Sequence, residues 1–253
     1  MAAKKDARGN GAETTQRRNS ARRLRTMYDR LVLRFGPQQW WPAKTAFEVV
    51  VGAYLTQNTA WTSVERSIAN LRAHGVLSVH GLRAFAESEL RQLIRPSGFM
   101  QRKAAALKAF VLFLDTAYAG KMSALRSAAQ ADPPRVREQL LALPGVGPET
   151  ADAILLYALD APAMVVDEYL RRITVRHGLI PPSTRYAEIQ NLAAAAFASE
   201  RSAQPETLPA HYNEFHALMV QIGKLHCGRV ARCQGCPLAW DLPKTQRAAP
   251  PLD

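Results

Sequence analysis

The stretch from Leu140 to Asp167, LLALPGVGPETADAILLYALDAPAMVVD, constrains the fold of this chain more than any other part of it. An apolar run ends at a proline, and Gly145 and Gly147 then bracket Val146 in a turn that flexible residues make most easily. Apolar residues at helical spacing follow, which predicts a second helix with one buried face. At the start of that helix backbone N–H groups lack intrahelical acceptors, so phosphate oxygens can bind there. The stretch therefore predicts a helical hairpin able to bind nucleic acid.

Composition restricts the class of protein and the sign of its partner. The formal net charge of +12 favours a polyanion, although DNA, RNA and an acidic membrane would all satisfy it. With 253 residues and a hydrophobic fraction of 47%, the chain can bury a core and is not disordered as a whole. No apolar run approaches a membrane span, and the first residues lack the apolar centre of a signal peptide. We expect a protein of the cytoplasm, associated with the nucleoid.

Helical periodicity runs through most of the chain, and no segment shows the alternation of a strand. We predict an all-α fold with two helical subdomains around a cleft. The expected parts are a disordered basic tail (1–22), one subdomain from two segments (23–46 and 163–226), a central subdomain (47–162) with the hairpin at 137–160, and a cysteine loop with a tail (227–253). The tail has almost no large apolar side chains, so its cations either add phosphate affinity or are simply solvated.

The motif LPGVGPETA resembles the helix-hairpin-helix of the endonuclease III superfamily of DNA glycosylases, and VVD resembles the loop and aspartate that follow it. The resemblance covers roughly residues 35–237. It implies that Asp167 is the catalytic carboxylate. Bifunctional members carry a nucleophilic lysine in the hairpin where this chain has Glu149, which implies base release without AP lyase activity. Considered as structure alone, Asp167 would cap the following helix, and the two roles are compatible.

Two further motifs, WWP and an LTQNT segment followed by tryptophan, are similar to the 3-methyladenine DNA glycosylase III branch of that superfamily. In that branch these residues wall the pocket for the damaged base, which implies a base pocket of Trp40, Trp41, Pro42 and Trp61. The superfamily's glutamine in this segment helps to fill the gap left by the extruded base, which implies that role for Gln57. Core anchoring of the tryptophans, and a plain exposed position for Gln57 on a helix over 47–59, are the alternatives.

The residues expected to contact DNA combine that glutamine with the hairpin turn: Gln57, Gly145, Val146, Gly147, Glu149 and Thr150. A basic segment before the hairpin, RPSGFMQRKAAAL, adds further cations. Arg102, Lys103 and Lys108 could reach phosphate groups, or they could be solvated charges on a helix surface.

Three cysteines, Cys227, Cys233 and Cys236, lie in one short segment, which is typical of a reducing compartment and not of a disulfide framework. The segment resembles the superfamily's iron–sulfur loop, C-x6-C-x2-C-x5-C, with one residue fewer in the first gap and Leu242 at the fourth position. A [4Fe–4S] cluster needs a ligand on each iron, and leucine offers none. His226 adjoins the first cysteine and is poorly placed to complete a cluster or a zinc site. We predict a degenerate loop without metal or cofactor.

A glycosylase must extrude the base before it can cleave the glycosidic bond. A carboxylate then stabilises the positive charge that develops on the sugar. N-alkylated purines are cationic leaving groups, which suits a site with one carboxylate and aromatic walls. Three functions therefore stay open: a monofunctional alkylpurine glycosylase, a monofunctional glycosylase for uracil or thymine mispairs or another lesion, and a non-catalytic helix-hairpin-helix module. The expected partner is double-stranded DNA with damaged bases. We expect the protein to bind it as a monomer, and we expect no membrane partner.

Overall fold

The computed structural model describes residues 3–38, 40 and 43–243, and most of these are helical. The α-helices are α1 (Ala3–Phe35), α2 (Ala46–Thr56), α3 (Trp61–Ala73), α4 (Val79–Ala84), α5 (Glu87–Leu93), α6 (Met100–Tyr118), α7 (Met122–Ala131), α8 (Pro133–Leu141), α9 (Pro148–Ala153), α10 (Glu168–Arg176), α11 (Tyr186–Ala195), α12 (Ala198–Ala203) and α13 (Leu208–Leu225). Within the described residues there is no β-strand, only one isolated bridge between Cys227 and Ala231. The prediction of an all-α fold is confirmed. None of these helices is long and apolar enough to cross a membrane.

The chain divides into two compact units, each with its own core. The first, which we call the terminal unit, comprises Met1–Trp40 and Met164–Asp253, and the second, the central unit, comprises Trp41–Ala163. The sequence predicts boundaries after residues 46 and 162 and a separate cysteine loop. In the structure that loop belongs to the terminal unit.

The core of the central unit is built around α2, which is apolar on nearly every side and buried from Phe47 to Leu55. Thr45 caps its N-terminus, since its hydroxyl accepts a hydrogen bond from the Glu48 backbone N–H at 3.1 Å. The predicted helix over 47–59 is too long, because the structure ends α2 at Thr56. The tight turn that follows requires a positive φ, and the chain provides Asn58 at +51°.

An ion pair with a buried carboxylate links the two helices of the hairpin. The guanidinium of Arg137 on α8 donates two hydrogen bonds, at 2.6 and 3.0 Å, to the fully buried carboxylate of Asp152 on α9. Gly145 occupies the turn with φ +74°, where a side chain would strain the backbone. After α9 the helix widens into a π-helix, Ile154–Ala158, before the chain leaves the hairpin. The predicted hairpin is therefore present, with α8 and α9 as its two helices.

Helix α1 begins at Ala3, within the segment 1–22 that the sequence predicts to be a disordered basic tail. Its amphipathic half does end at Phe35, as predicted. Leu24, Met27 and Leu31 recur at helical spacing and are fully buried. The preceding residues are rich in alanine, arginine and lysine, which favour helix once a packed turn has nucleated it.

Helices α10 and α13 pack closely in the terminal unit because Gly223 lies under the ring of Tyr169. A Cβ atom at position 223 would come within 2.3 Å of that ring, so glycine is required for this approach.

Candidate active site

Asp167 is the N-cap of α10, as its sequence position predicted. Its Oδ1 atom accepts a hydrogen bond from the Leu170 backbone N–H at 2.7 Å, and its side chain is only 12% exposed. One oxygen is therefore committed to the helix. The second oxygen, Oδ2, takes no part in this cap.

His216 faces that second oxygen from α13. Its Nε2 atom lies 3.6 Å from Oδ2 of Asp167, and its side chain is 9% exposed. His216 is not among the site residues that the sequence predicts. A polar residue in an otherwise apolar helical stretch was the signal that could have identified it.

Helix α13 also holds the segment that leads to Trp40. The carboxylate of Glu214 accepts hydrogen bonds from the Gln38 backbone N–H at 3.0 and 3.1 Å. The Lys224 ammonium lies 5.3 Å from the centroid of the Trp40 ring, within the range of a cation–π contact. The partly buried Trp40 is thus fixed beside the helix that carries His216.

Trp61 begins α3 in the central unit and packs partly buried against that unit's core. Its indole N–H donates to the Glu65 carboxylate at 2.9 Å. This packing agrees with the core-anchoring interpretation, and it leaves part of the ring at the surface. Trp41 and Pro42 lie outside the described residues, so the predicted base pocket stays a prediction.

Gln57 connects its turn to the hairpin. Its amide nitrogen donates to the Gly145 carbonyl at 2.8 Å and to the Thr150 hydroxyl at 3.1 Å. The interpretation of Gln57 as a plain exposed side chain is wrong. In this structure its amide ties the LTQNT turn to the N-terminus of α9, and the gap-filling role stays a prediction.

The hairpin residues expected to contact DNA differ in their exposure. Gly145, Gly147 and Glu149 are exposed, whereas Val146 and Thr150 are buried. The Val146 side chain belongs to the core of the central unit and thereby fixes the hairpin turn to that core. Any DNA contact by these two buried residues would have to come from their backbone.

Two of the three cations expected to reach phosphate point inward. The ammonium of Lys103 is hydrogen-bonded to Leu55, Thr59 and Ser97, and that of Lys108 to the carbonyls of Leu82, Arg83 and Phe85. Each lysine therefore caps the C-terminus of a neighbouring helix, α2 or α4. Burial, with a smaller effect of Arg102, lowers the pKa of Lys103 to about 8. Arg102 alone of the three is exposed.

Phe99 was not predicted as a functional residue. Its side chain is 57% exposed and its φ is +46°, an unusual combination for an aromatic residue. It follows Gly98, at φ +64°, in the turn that Lys103 holds. The glycine in the segment RPSGF indicates a turn, but nothing in the sequence indicates that the Phe99 ring is exposed.

Comparison with known proteins decides the family. The model of the HhH-GPD superfamily of base excision DNA repair proteins matches residues 51–198, more than half of the chain. The chain belongs to this superfamily. A Methanocaldococcus jannaschii protein described as a DNA repair glycosylase is 40% identical over 212 residues, covering 84% of this chain and 92% of that protein. The endonuclease III superfamily relationship is confirmed, and DNA is the partner of this HhH-GPD glycosylase family.

Solved structures agree with the HhH-GPD fold. The Helicobacter pylori 3-methyladenine DNA glycosylase MagIII, bound to 1,N6-ethenoadenine, is 28% identical with a TM-score of 0.69, over 80% of this chain and 97% of that one. Endonuclease III in a non-covalent DNA complex reaches a TM-score of 0.73 at 22% identity, over 90% of this chain and 97% of that one. At that identity the second likeness supports the fold alone.

The cysteine loop of this HhH-GPD protein closes around a small pocket. Its lining includes the three cysteines and Leu242, which is buried where a fourth iron ligand is expected. Cys227 is buried and its Sγ accepts from the Arg176 guanidinium at 3.2 Å, while Cys233 is exposed. No group of three or more His, Cys, Asp or Glu side chains within the described residues is arranged to hold a metal. Three thiols and a leucine do not fit the four-ligand requirement of a [4Fe–4S] cluster.

Proposed function

We propose that the protein is a monofunctional DNA glycosylase that hydrolytically releases damaged bases, with N-alkylated purines such as 3-methyladenine as its substrate class. The observation that carries this proposal is the pair of acidic residues at the two positions that define the chemistry. Asp167 supplies a carboxylate at the family's aspartate position, and Glu149 supplies a second carboxylate where bifunctional relatives have an amine.

The geometry of Asp167 supports a role in stabilising the transition state. Its Oδ1 is fixed by the cap of α10, so the direction of Oδ2 is set before substrate arrives. A pre-oriented negative charge stabilises the oxocarbenium-like sugar that forms as the base leaves, and it can orient a water molecule for attack. His216, 3.6 Å from that oxygen, would hold the carboxylate in this orientation.

The chemistry at position 149 supports base release without strand cleavage by a lysine. A Schiff base requires an amine nucleophile, and a glutamate offers none. Glu149 is exposed in the first turn of α9, where a carboxylate interacts favourably with the helix dipole. Its proposed role is therefore structural.

The substrate class is supported by the aromatic residues and by the similarity to the H. pylori 3-methyladenine glycosylase. The Lys224 ammonium lies 5.3 Å from the centroid of the Trp40 ring, so a cation is already present near this indole. An alkylated purine is itself cationic, so an indole face would favour it over a neutral base.

Contacts with DNA are assigned to the central unit. The turn around Gly145 and Gly147 and the N-terminus of α9 would bind phosphate oxygens. The exposed ring of Phe99 would insert between base steps, as apolar side chains do in proteins that distort the duplex. Gln57 would occupy the gap that the extruded base leaves.

We propose that the cysteine loop keeps its conformation without a bound metal. Arg176 donates hydrogen bonds to the Gly228 and Arg229 carbonyls at 2.8 and 2.7 Å, in addition to its contact with Cys227. These bonds hold the loop through the chain's own side chains. Anaerobically purified protein should lack stoichiometric iron and zinc, and about four irons per chain would contradict this assignment.

A panel of duplexes, each with one defined lesion, tests the function. Alkylated purines, ethenoadenine, uracil and mispaired thymine should be compared, and the abasic products then cleaved with alkali. We expect release of the alkylated purine, intact strands before alkali, and no covalent complex after borohydride. Preferred release of another base would change the substrate class, and a trapped adduct would show that a lysine acts as nucleophile.

A further inference from the structure

The ammonium of Lys103 is one of the few buried charges in the central unit, and its contacts are unusually complete. The residue is only 5% exposed. Its Nζ atom donates to the Leu55 carbonyl at 2.8 Å, the Thr59 hydroxyl at 2.7 Å and the Ser97 carbonyl at 2.8 Å. Burying an ammonium is costly unless its hydrogen bonds are satisfied, and here all three N–H groups have an oxygen acceptor.

Those acceptors belong to two different turns. Leu55 lies in the last turn of α2, and Gln57 and Asn58 form the centre of the tight turn that follows, with the Thr59 N–H bonded to the Thr56 carbonyl at 3.0 Å. The backbone angles, φ −55° and ψ 116° at Gln57 and φ +51° at Asn58, match a type II turn.

The second turn begins at Ser97, the last residue of the 3-10 helix Arg95–Ser97, and runs through Gly98 to Phe99. The Thr59 hydroxyl also donates to the Ser97 carbonyl at 2.8 Å, so the two turns share one hydrogen-bond network. Phe99 has a left-handed backbone, which is unfavourable for a non-glycine residue and persists only when the surroundings enforce it.

We propose that Lys103 is a positioning residue for base extrusion, whose ammonium holds the Gln57 turn and the Phe99 turn in the single geometry that lets both side chains enter the duplex. This inference rests on the proposed glycosylase function. Lys103 itself does not touch DNA, because its side chain is buried beneath both turns.

The same contacts argue against Lys103 as a nucleophile. Burial lowers its pKa to about 8, a property that amine nucleophiles often share. An attacking amine must reach the sugar, however, and this one is enclosed and engaged with three acceptors. Borohydride trapping separates the two roles, since a positioning lysine leaves no covalent complex.

Lys108 provides a matched control on the same helix. It also caps a helix C-terminus from α6, with its Nζ atom 2.6 Å from the Leu82 carbonyl and also bonded to the Phe85 carbonyl. Its acceptors are at the end of α4, away from Gln57 and Phe99 in sequence. Lys108→Met therefore reproduces the loss of a capping lysine without touching either DNA-facing turn.

The experiment compares Lys103→Met with Lys108→Met in two duplexes, one with the lesion opposite its normal partner and one with the same lesion mispaired. Extrusion is easier from a mispair. Single-turnover base release by Lys103→Met should fall at least about 10-fold in the paired duplex, since small misplacements can cost up to about 100-fold. The deficit should shrink in the mispaired duplex, while Lys108→Met should match wild type in both.

Equal deficits in the two duplexes, or equal behaviour of the two variants, would overturn the proposal. If Lys103→Met does not fold, Thr59→Val can be used instead, because it removes the hydroxyl that both turns share. Its base release from the duplex with the normally paired lesion should also be slower than that of wild type, but by a smaller factor. No loss of rate in that duplex would contradict the proposal. A 2-aminopurine reporter opposite an abasic analogue measures extrusion without chemistry. If wild type releases none of the tested bases, the proposed function fails, while the reporter still compares Lys103→Met with wild type.

Discussion

The two units use their polar side chains in different ways. In the central unit the buried charges of Lys103 and Asp152 hold turns and helix ends, and the residues assigned to DNA lie on those turns. In the terminal unit Asp167 and His216 face each other from two packed helices. In the proposed function, turns of the central unit hold the DNA, whereas the packing of two helices in the terminal unit determines where the Asp167 carboxylate points. Changes in one unit should therefore alter DNA handling, and changes in the other should alter the rate of bond cleavage.

Asp167→Asn should have the largest effect. Asparagine still caps a helix, so the fold should persist, but the negative charge at the reacting sugar is lost. We expect base release to fall about 10³-fold, similar to the removal of other transition-state charge stabilisers. Affinity for a duplex with an abasic analogue should stay near wild type. Glu168→Gln, the next residue and 66% exposed, is the control and should keep its activity; comparable losses in both variants would contradict the assignment.

Asp152→Asn should have the next largest effect, because it weakens the contact between the two helices of the hairpin. It removes the charge of the fully buried carboxylate that pairs with Arg137. Breaking a fully buried pair costs about 3 kcal/mol or more of folding free energy, and because the Arg137 side chain is 30% exposed we expect a loss of about 2 kcal/mol. Chemical denaturation measures the loss, and duplex affinity should fall with it. The Arg83–Asp115 pair of the same unit has a carboxylate that is 32% exposed, so Asp115→Asn should cost clearly less. A larger effect at Asp115 would show that burial does not set the strength of these pairs.

His216→Phe should lower kcat about 10-fold, because a mispositioned carboxylate stabilises the transition state less well. KM and the affinity for an abasic analogue should change little, since His216 contacts Asp167 and not DNA in this assignment. His216→Asn retains a donor and should recover part of the rate. A loss confined to KM, or no recovery by asparagine, would leave His216 with a purely structural role.

Alkaline pH should produce the smallest effect, a decline in base release of about threefold between pH 7 and 9, as Lys103 loses its proton. A neutral amine carries two N–H donors for three acceptors, so one turn loses a hydrogen bond. The folded pKa of about 8 lies below the ordinary 10.5, so between these values the unfolded chain keeps a proton that the folded chain has lost. This group therefore raises the free energy of unfolding with pH in that window. Activity and stability should diverge, and Lys103→Met should abolish the decline.

The sequence predicted those features that depend on local patterns. Helical periodicity gave the all-α fold, the glycines gave the hairpin turn, and the position of Asp167 before a basic helix gave its cap. Each of these features is determined by residues that are close together in the sequence. Catalysis was expected only from the resemblance to the family motif, because no local pattern of residues indicates it.

The features that the sequence did not reveal depend on partners distant in the chain. Lys103 and Lys108 looked like surface cations because their acceptors, the ends of α2 and α4, are identified only by packing. Val146 looked like part of a DNA-contacting turn, whereas its side chain completes the core. For Gln57 the sequence left open a plain exposed position, because the partners of its amide lie far along the chain, 88 positions away in the case of Gly145.

The inward direction of Lys103, Lys108 and Arg137 has a consequence for how binding responds to ionic strength. Cations that neutralise DNA phosphates release condensed counterions, and the logarithm of the binding constant then falls with the logarithm of salt concentration in proportion to their number. A cation that is already bonded to carbonyl or carboxylate oxygens inside the protein releases none. The salt dependence of duplex binding should therefore be shallower than the 33 lysines and arginines of the sequence suggest, and replacing Lys103 or Lys108 should leave its slope unchanged.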